Sequence, residues 1–187
     1  MSPLGQMTMA SDGQSLTGLW FDGQKHFGST LTPQSEQLAD LPLFADVRRW
    51  LDIYFSGRDP GFMPPVRFRS SDFRVLVWRL LLTIPYAATT TYGALARTVA
   101  REMGVEHMSA QAVAGAVARN PISLIVPCHR VIASDGSLAG YAGGLQRKEQ
   151  LLALEQTYGG AQLRTPFRSE ILEQRIQCQA CLSIVES

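Results

Sequence analysis

Apolar residues recur at every third or fourth position in several stretches of the chain, and this spacing predicts amphipathic helices over residues 43–55, 72–82, 145–156 and 170–185. Residues 6–10 and 16–21 predict the two strands of a hairpin, because the Asp12-Gly13 pair between them favours a tight turn. The apolar run 122–126 predicts a buried strand that stops at Pro127, which has no N–H to donate to a neighbouring strand.

Capping residues predict two further helices. Thr91 stands directly before residues 92–102 and Ser109 before residues 110–119, as Ser71 stands before residues 72–82. Threonine and serine are favoured at this position because their side-chain oxygens can accept hydrogen bonds from free N–H groups of the first helical turn. We therefore predict a helix, a turn and a second helix between residues 91 and 119.

Polar and proline-rich stretches separate these elements. Residues 22–40 predict a loop, residues 58–65 a linker, and residues 66–69 a last strand before the second unit. The resulting division is a small α/β amino-terminal domain (1–68), a mainly helical domain (69–158) and a carboxy-terminal tail (159–187).

Composition adds limits to this scheme. The chain has 187 residues, of which 45% are hydrophobic, and a formal net charge of +1, so nucleic-acid binding would require a local basic patch. Arg97, Arg101 and Arg119 flank the predicted helix pair and are candidates for such a patch, although isolated arginines are usually only solvated. The three cysteines, the lack of a signal-like start and the lack of a long apolar span predict a cytoplasmic protein with no membrane segment.

Cys128 follows the predicted strand and precedes His129 and Arg130. Neighbouring positive charge lowers the pKa of a thiol, and the thiolate is the reactive form. A buried structural cysteine is the alternative, but the stop at Pro127 and the two basic neighbours favour a reactive thiol. The residues alone leave acyl transfer, hydrolysis and alkyl transfer open as its chemistry.

Two other features can be interpreted either as structural or as functional. The small residues of 110–119 fit close packing against another helix or close approach to a nucleic-acid backbone. The pair Cys178 and Cys181 is a lone CxxC motif, which lacks the second pair that a zinc site requires. We predict no metal site.

The segment Asn120-Pro121-Ile122-Ser123-Leu124-Ile125-Val126-Pro127-Cys128-His129-Arg130-Val131 resembles the signature of the O6-alkylguanine-DNA alkyltransferase family. The resemblance covers about residues 73–155, and it includes Thr91-Tyr92-Gly93, Ser109-Ala110-Gln111-Ala112-Val113 and Gly140-Tyr141-Ala142-Gly143-Gly144. It implies a ribonuclease-H-like α/β domain followed by a helical domain with a helix-turn-helix. It also implies irreversible, single-turnover repair of O6-alkylguanine, and of O4-alkylthymine, in double-stranded DNA.

The resemblance assigns roles to individual residues. Cys128 would accept the alkyl group, His129 would take the thiol proton through a water, and Glu155 would orient His129. Asn120 would brace the turn that carries Cys128, and Tyr92 would hydrogen-bond the guanine. Five further residues would line the base pocket: Val117, Val131, Tyr141, Ala142 and Gly143.

DNA contact would come from the second helix of the pair, which enters the minor groove in the family. The residues expected on DNA are Ala110, Gln111, Ala112, Ala114, Arg119 and Arg130. Many members carry an arginine where this chain has Gln111, which leaves the strength of base flipping open. The resemblance further implies a monomer that needs no cofactor, and the amino-terminal domain has no cysteine for the zinc that some relatives bind.

Three rival functions remain at this level. A DNA-binding regulator with an unreactive cysteine would keep DNA affinity in Cys128→Ala. A cysteine hydrolase would turn over an ester or amide, and a redox protein would depend on Cys178 and Cys181.

Overall fold

This computed structural model describes residues 2–37 and 41–159. Its elements in chain order are β1 (Met7–Ser11), β2 (Leu16–Phe21), α1 (Pro42–Phe55), α2 (Asp72–Leu81), β3 (Thr90–Thr91), α3 (Tyr92–Met103), α4 (Ala110–Ala118), a 3-10 helix (Cys128–Arg130), β4 (Val131–Ile132) and α5 (Leu145–Gly159). The two-unit, mixed α/β organisation is as predicted, and the predicted helices in the described part of the chain are all present.

The amino-terminal unit is an antiparallel hairpin with one helix against it. β1 pairs with β2 in the register Met7↔Phe21, and every residue of β2 is buried. The apolar stripe of α1, which includes Val47, Trp50 and Tyr54, belongs to the same hydrophobic core as β2. Burial of this stripe explains why the three-and-four spacing of residues 43–55 forms a helix here.

Backbone hydrogen bonds join β2 to the chain that leads to Cys128. Leu19 donates its N–H to the carbonyl of Pro121 and accepts from the N–H of Ser123, both at 2.8 Å, and Leu19 forms a parallel bridge with Ile122. One continuous apolar core extends from β2 and α1 to α5. The hairpin of the first unit therefore holds the cysteine-bearing segment of the second.

The capping predictions for α3 and α4 are confirmed. Thr91 Oγ1 accepts from Ala94 N at 3.1 Å, and Ser109 Oγ accepts from Ala112 N at 3.4 Å. Gly104 ends α3 with φ +66°, a conformation that glycine adopts without strain. Ser71 also precedes its helix, but its hydroxyl makes no capping hydrogen bond.

The strand predicted for residues 122–126 is wrong. These residues form consecutive turns, with a single bridge at Ile122, and Leu124 has φ +71°. A non-glycine residue at positive φ cannot continue an extended strand. The strand predicted for residues 66–69 is likewise reduced to one bridge between Val66 and Leu16.

Some predictions fall on other parts of the chain. Residues 38–40 of the predicted loop, the predicted helix 170–185 and the Cys178–Cys181 pair lie outside the described residues. Within residues 2–37 and 41–159, no helix has the length and apolar character that crossing a membrane requires.

Candidate active site

Asn120 organises the turn that presents Cys128. Its Nδ2 donates to the carbonyls of Val126 at 2.8 Å and Ile122 at 3.1 Å, and its Oδ1 accepts from the N–H of Ile122 at 3.0 Å. The side chain of Asn120 thus replaces the ladder partners that a strand would have supplied, because buried backbone groups need hydrogen-bond partners. This is the physical reason why an apolar, β-branched run forms turns.

The same amide reaches the thiol. Asn120 Nδ2 lies 3.1 Å from Cys128 Sγ, and Cys128 is only 4% exposed. Burial raises the pKa of Cys128, while the hydrogen bond from Asn120 and the charge of Lys148 lower it in part. The expectation of a thiol that loses its proton easily beside His129 and Arg130 is therefore wrong for the resting protein, which needs a base to form the thiolate.

His129 and Glu155, which the resemblance assigns to this role, lie in direct contact. His129 Nε2 lies 2.8 Å from Glu155 Oε1, and both side chains are fully buried. Burial alone would raise the pKa of Glu155, but His129 and Arg130 lower it to about 2. Because an ionised carboxylate only accepts, Nε2 must carry the proton, and Nδ1 is left as a proton acceptor.

Arg130 is not on the DNA-facing surface where it was expected. Its side chain is 9% exposed and forms an ion pair with Glu155, with Nε 2.9 Å from Oε2. Arg130 Nη1 also donates a hydrogen bond to the carbonyl of Ile84 at 2.7 Å. Residues 128–130 form a 3-10 turn in which all three residues are buried, and a buried guanidinium needs an anionic partner, which Glu155 supplies. Arg130 therefore neutralises Glu155 instead of contacting DNA.

The sequence did not predict two further hydrogen-bond donors to Glu155. The hydroxyl of Tyr54, on α1, donates to Oε1 at 2.7 Å. The N–H of Ala87 donates to Oε2 at 3.0 Å, and Ala87 adopts φ +62° to do so. The carboxylate is thus held by donors from both units of the protein.

Lys148 connects residues that are expected to bind the guanine of the DNA. It is completely buried, and its Nζ donates to the carbonyls of Val131 at 2.6 Å and Ala139 at 2.7 Å. The hydroxyl of Tyr92 donates to the same Ala139 carbonyl at 3.1 Å and to that of Gly140 at 3.2 Å. Lys148 and Tyr92 therefore connect β4 and α3 to the start of the glycine-rich loop, residues 140–144.

Three of the residues expected to line the pocket belong to the buried core. Val117, Val131 and Tyr141 are buried, and the Tyr141 ring stands edge-on to His129 with centroids 6.4 Å apart. A Cβ on Gly143 would come within 2.6 Å of that ring, so only glycine permits this packing. The carbonyl of Ala142 accepts from Lys25 N at 3.0 Å, which anchors the loop to the amino-terminal unit.

The remaining residues expected on DNA lie on the outer face of α4. Val113, Ala116 and Val117 face the core, and the indole N–H of Trp78 donates to the Ala116 carbonyl at 2.9 Å. Exposed or half-buried on the other side are Ala110, Gln111, Ala112, Ala114 and Arg119. The small residues on one face of α4 therefore pack in the core, while those on the other face are accessible for close approach to a nucleic-acid backbone.

One sequence signal could have found Lys148 and shown that Glu155 is buried. Lys148, Leu151, Leu152 and Glu155 follow the spacing of a single helix face, and all are buried in α5. A charged residue in the buried stripe of a helix requires an internal partner. Tyr54 gave no such signal, because a tyrosine in an apolar stripe is ordinarily a core residue. Among the described residues, no group of His, Cys, Asp and Glu is arranged to bind a metal.

We expect Asn120→Asp to slow any reaction of Cys128 strongly. The substitution keeps the shape of the side chain but replaces the Nδ2 donor with an anion beside Sγ, which raises the thiol pKa further. It also removes one hydrogen bond to each of the Val126 and Ile122 carbonyls, which keep the backbone N–H donors of Cys128 and Val126, at a cost of about 1 kcal/mol each. Thiolate absorbance against pH and urea unfolding measure the two effects; an unchanged thiol pKa would show that Asn120 acts only on the turn.

Fold and site together define a two-unit α/β protein in which a buried cysteine lies beside a histidine–carboxylate pair. Comparison with family models then identifies both units. Residues 1–68 match the ribonuclease-like domain of 6-O-methylguanine DNA methyltransferase, and residues 72–157 match its DNA-binding domain.

Individual relatives agree with these matches. The methylated-DNA–protein-cysteine methyltransferase of Mycobacterium tuberculosis H37Rv is 39% identical over 162 residues, which is 87% of this chain and 93% of the relative. That of Haemophilus influenzae is 36% identical and covers 83% of each chain. The crystal structure of Mycobacterium tuberculosis OGT in complex with DNA has a TM-score of 0.71 at 38% identity, over 84% of this chain and 90% of the other. The chain belongs to the methylated-DNA–protein-cysteine methyltransferase family.

Proposed function

We propose that this protein repairs double-stranded DNA by moving methyl and other alkyl groups from O6 of guanine, and O4 of thymine, to Cys128. One arrangement carries the proposal: the Cys128 thiol is held by Asn120 next to a His129–Glu155 pair. Family membership makes alkylated DNA the substrate to test first. The thioether product is stable, and none of the described residues around Cys128 offers a way to cleave it, so each molecule is expected to react once.

The reaction balances without a cofactor. The Cys128 thiol gives its proton through a water to Nδ1 of His129, which has no hydrogen-bond partner among the described residues. The sulfur then attacks the alkyl carbon; an S–C bond forms, the C–O6 bond breaks, and its electron pair stays on the guanine. The guanine takes up one proton, so an alkyl group and a proton exchange places.

Pocket residues would orient the base for this attack. A carbonyl oxygen has two lone pairs, so that of Val131 can accept from a guanine amino group while it also accepts from Lys148. The carbonyl of Cys128 would accept from the same amino group. Tyr92 would redirect its single hydroxyl proton from the Ala139 and Gly140 carbonyls to the base, and the Ala142 N–H would face the oxygen of the base. Val117 and Tyr141 would enclose the ring.

The α3–α4 pair would act as a helix-turn-helix that places α4 in the minor groove. Its exposed alanines allow close approach to the duplex, and the exposed Arg97, Arg101 and Arg119 supply positive charge near phosphates. The target base must leave the stack to reach a buried cysteine, which costs a few kcal/mol. Gln111 would hydrogen-bond the partner base that is left behind. The amino-terminal unit would have a ribonuclease-H-like fold.

Burial would protect Cys128 from reaction with anything other than its substrate. Because burial raises the pKa of Cys128, the thiol stays protonated until a substrate occupies the pocket beside His129. A thiol in this state resists oxidation and stray alkylation. Such a cysteine suits the cytoplasm, where we expect the protein to work as a monomer without a cofactor.

Gln111 gives a test of base flipping. We expect Gln111→Ala to slow repair of duplex DNA by about tenfold, which corresponds to loss of about 1.4 kcal/mol of contact to the orphaned base. Repair of a single-stranded oligonucleotide should change little, because no partner base is left there. Gln111→Arg should restore or exceed the wild-type duplex rate. Equal losses on both substrates would contradict this role.

The proposed function is tested by incubating the protein with a duplex that contains one O6-methylguanine and weighing the peptide that carries Cys128. A gain of one methyl group per protein, with unmodified guanine restored in the DNA, supports the proposal. A free thiol with bound DNA would favour a lesion sensor, and steady turnover of esters would favour a hydrolase.

A further inference from the structure

A tyrosine of the amino-terminal unit reaches into the reaction centre. Tyr54 lies in the last turn of α1 and is fully buried. Its hydroxyl lies 2.7 Å from Glu155 Oε1 and 3.3 Å from His129 Nε2. Both contacts join residues far apart in the chain, with separations of 101 and 75 positions.

Tyr54 donates its hydroxyl proton to Glu155 in this position. Burial and the negative charge of Glu155 hold the pKa of Tyr54 well above its usual value, so the hydroxyl stays protonated. Its proton and the Nε2 proton of His129 converge on the same carboxylate oxygen. The hydroxyl therefore helps to set the position of the Glu155 carboxylate and the negative charge that this carboxylate presents to His129.

The ring of Tyr54 is held rigidly from several sides. Trp50 stacks on it with centroids 5.2 Å apart and planes 9° from parallel, and Tyr86 meets it edge-on at 6.0 Å. A rigid donor fixes a carboxylate better than a mobile one, because less conformational freedom is lost when the bond forms.

We propose that Tyr54 is a positioning residue for alkyl transfer, whose hydroxyl sets Glu155 Oε1 against His129 Nε2 and so makes the amino-terminal unit part of the proton relay. This inference rests on the proposed function. It assigns to the first unit a role in the chemistry, beyond holding the cysteine-bearing turn.

Tyr54→Phe removes the hydroxyl and keeps the ring. Without this donor, the charge on Glu155 Oε1 is less compensated and attracts the His129 proton more strongly, so the pKa of His129 rises. His129 must be neutral to take the thiol proton, so the acidic limb of the single-turnover rate profile should move to higher pH. Loss of one hydrogen bond to a charged group should also lower the rate at neutral pH by about tenfold.

Tyr86→Phe is the matched control. The Tyr86 hydroxyl is buried in the same region but has no hydrogen-bond partner among the described residues. Its ring packs on the Arg130 guanidinium at 5.6 Å, and phenylalanine keeps that contact. This variant should react at the wild-type rate with the wild-type pH profile.

A second variant covers the case in which Tyr54→Phe folds poorly. Replacement of Tyr54 by 2,3-difluorotyrosine keeps the hydrogen bond and makes the phenol a stronger donor. The acidic limb should then move to lower pH, opposite to its shift in Tyr54→Phe. A purely structural role predicts no such pair of opposite shifts.

Single-turnover rates across pH, with DNA affinity measured in parallel, decide the matter. The inference stands if DNA affinity is unchanged while the acidic limb moves in the two stated directions. It is overturned if both Tyr54 variants match Tyr86→Phe at every pH while the wild-type protein transfers alkyl groups normally. Failure of the wild-type protein to transfer any alkyl group would overturn the proposed function and this inference with it.

Discussion

Cys128→Ser is expected to abolish alkyl transfer while leaving DNA binding intact. A hydroxyl is far less acidic than a thiol, so the base that ionises Cys128 cannot generate an alkoxide in the same buried site. Removal of a nucleophile in other enzymes costs about 10⁴-fold or more in rate. The side chain is nearly isosteric, and serine can still accept the hydrogen bond from Asn120.

The measurement is the mass of the peptide that carries residue 128 after incubation with methylated duplex. We expect no mass gain in Cys128→Ser over times at which the wild-type protein reacts completely. DNA affinity should agree with that of the wild-type protein. Continued methyl removal from the DNA would assign the chemistry to another residue and would contradict the proposed function.

Glu155→Gln is expected to damage both stability and rate. The variant leaves the buried Arg130 guanidinium without its ion-pair partner, a kind of change that typically costs about 3–5 kcal/mol of unfolding free energy. It also removes the anion that fixes the Nε2–H tautomer of His129. General-base catalysis typically contributes at least about a hundredfold, so we expect a loss of that order in the transfer rate.

The pH dependence of unfolding distinguishes this ion pair from a general packing defect. The pKa of Glu155 is lowered in the folded protein from 4.5 to about 2, which corresponds to about 3 kcal/mol of stability at neutral pH. A carboxyl group whose pKa is lowered by folding stabilises the folded state at pH values above its pKa in the unfolded chain. This stabilisation is lost as the pH falls through its pKa in the folded protein. The stability gap between wild type and Glu155→Gln should therefore shrink between pH 4.5 and about 2.

Glu149→Gln is the control for this prediction. It makes the same charge change on the same helix, but Glu149 is exposed. Surface charges contribute little to stability, so its urea midpoint should stay close to that of the wild type at every pH. A gap between wild type and Glu155→Gln that stays constant down to pH 2 would contradict the assigned ion pair.

The helices and their beginnings could be read from the sequence because their causes are local. The apolar spacing of residues 43–55 and the capping hydroxyls of Thr91 and Ser109 act within a few residues along the chain. The Pro-Cys-His-Arg segment likewise pointed to the family, because the residues that carry its chemistry are adjacent. The pairing of His129 with Glu155 came from that resemblance and agrees with the observed contact.

The sequence by itself therefore determined the helices, the segment that carries Cys128 and His129, and the family. Only the tertiary structure decided that Arg130 turns inward, that Tyr54 contacts Glu155 and that residues 122–126 form turns. Each of these outcomes depends on a polar group that must find a partner once it is buried: Arg130 finds Glu155, Tyr54 finds the same carboxylate, and the backbone of the turn finds Asn120. Local propensity carries no information about such partners, because the fold brings them together from distant parts of the chain.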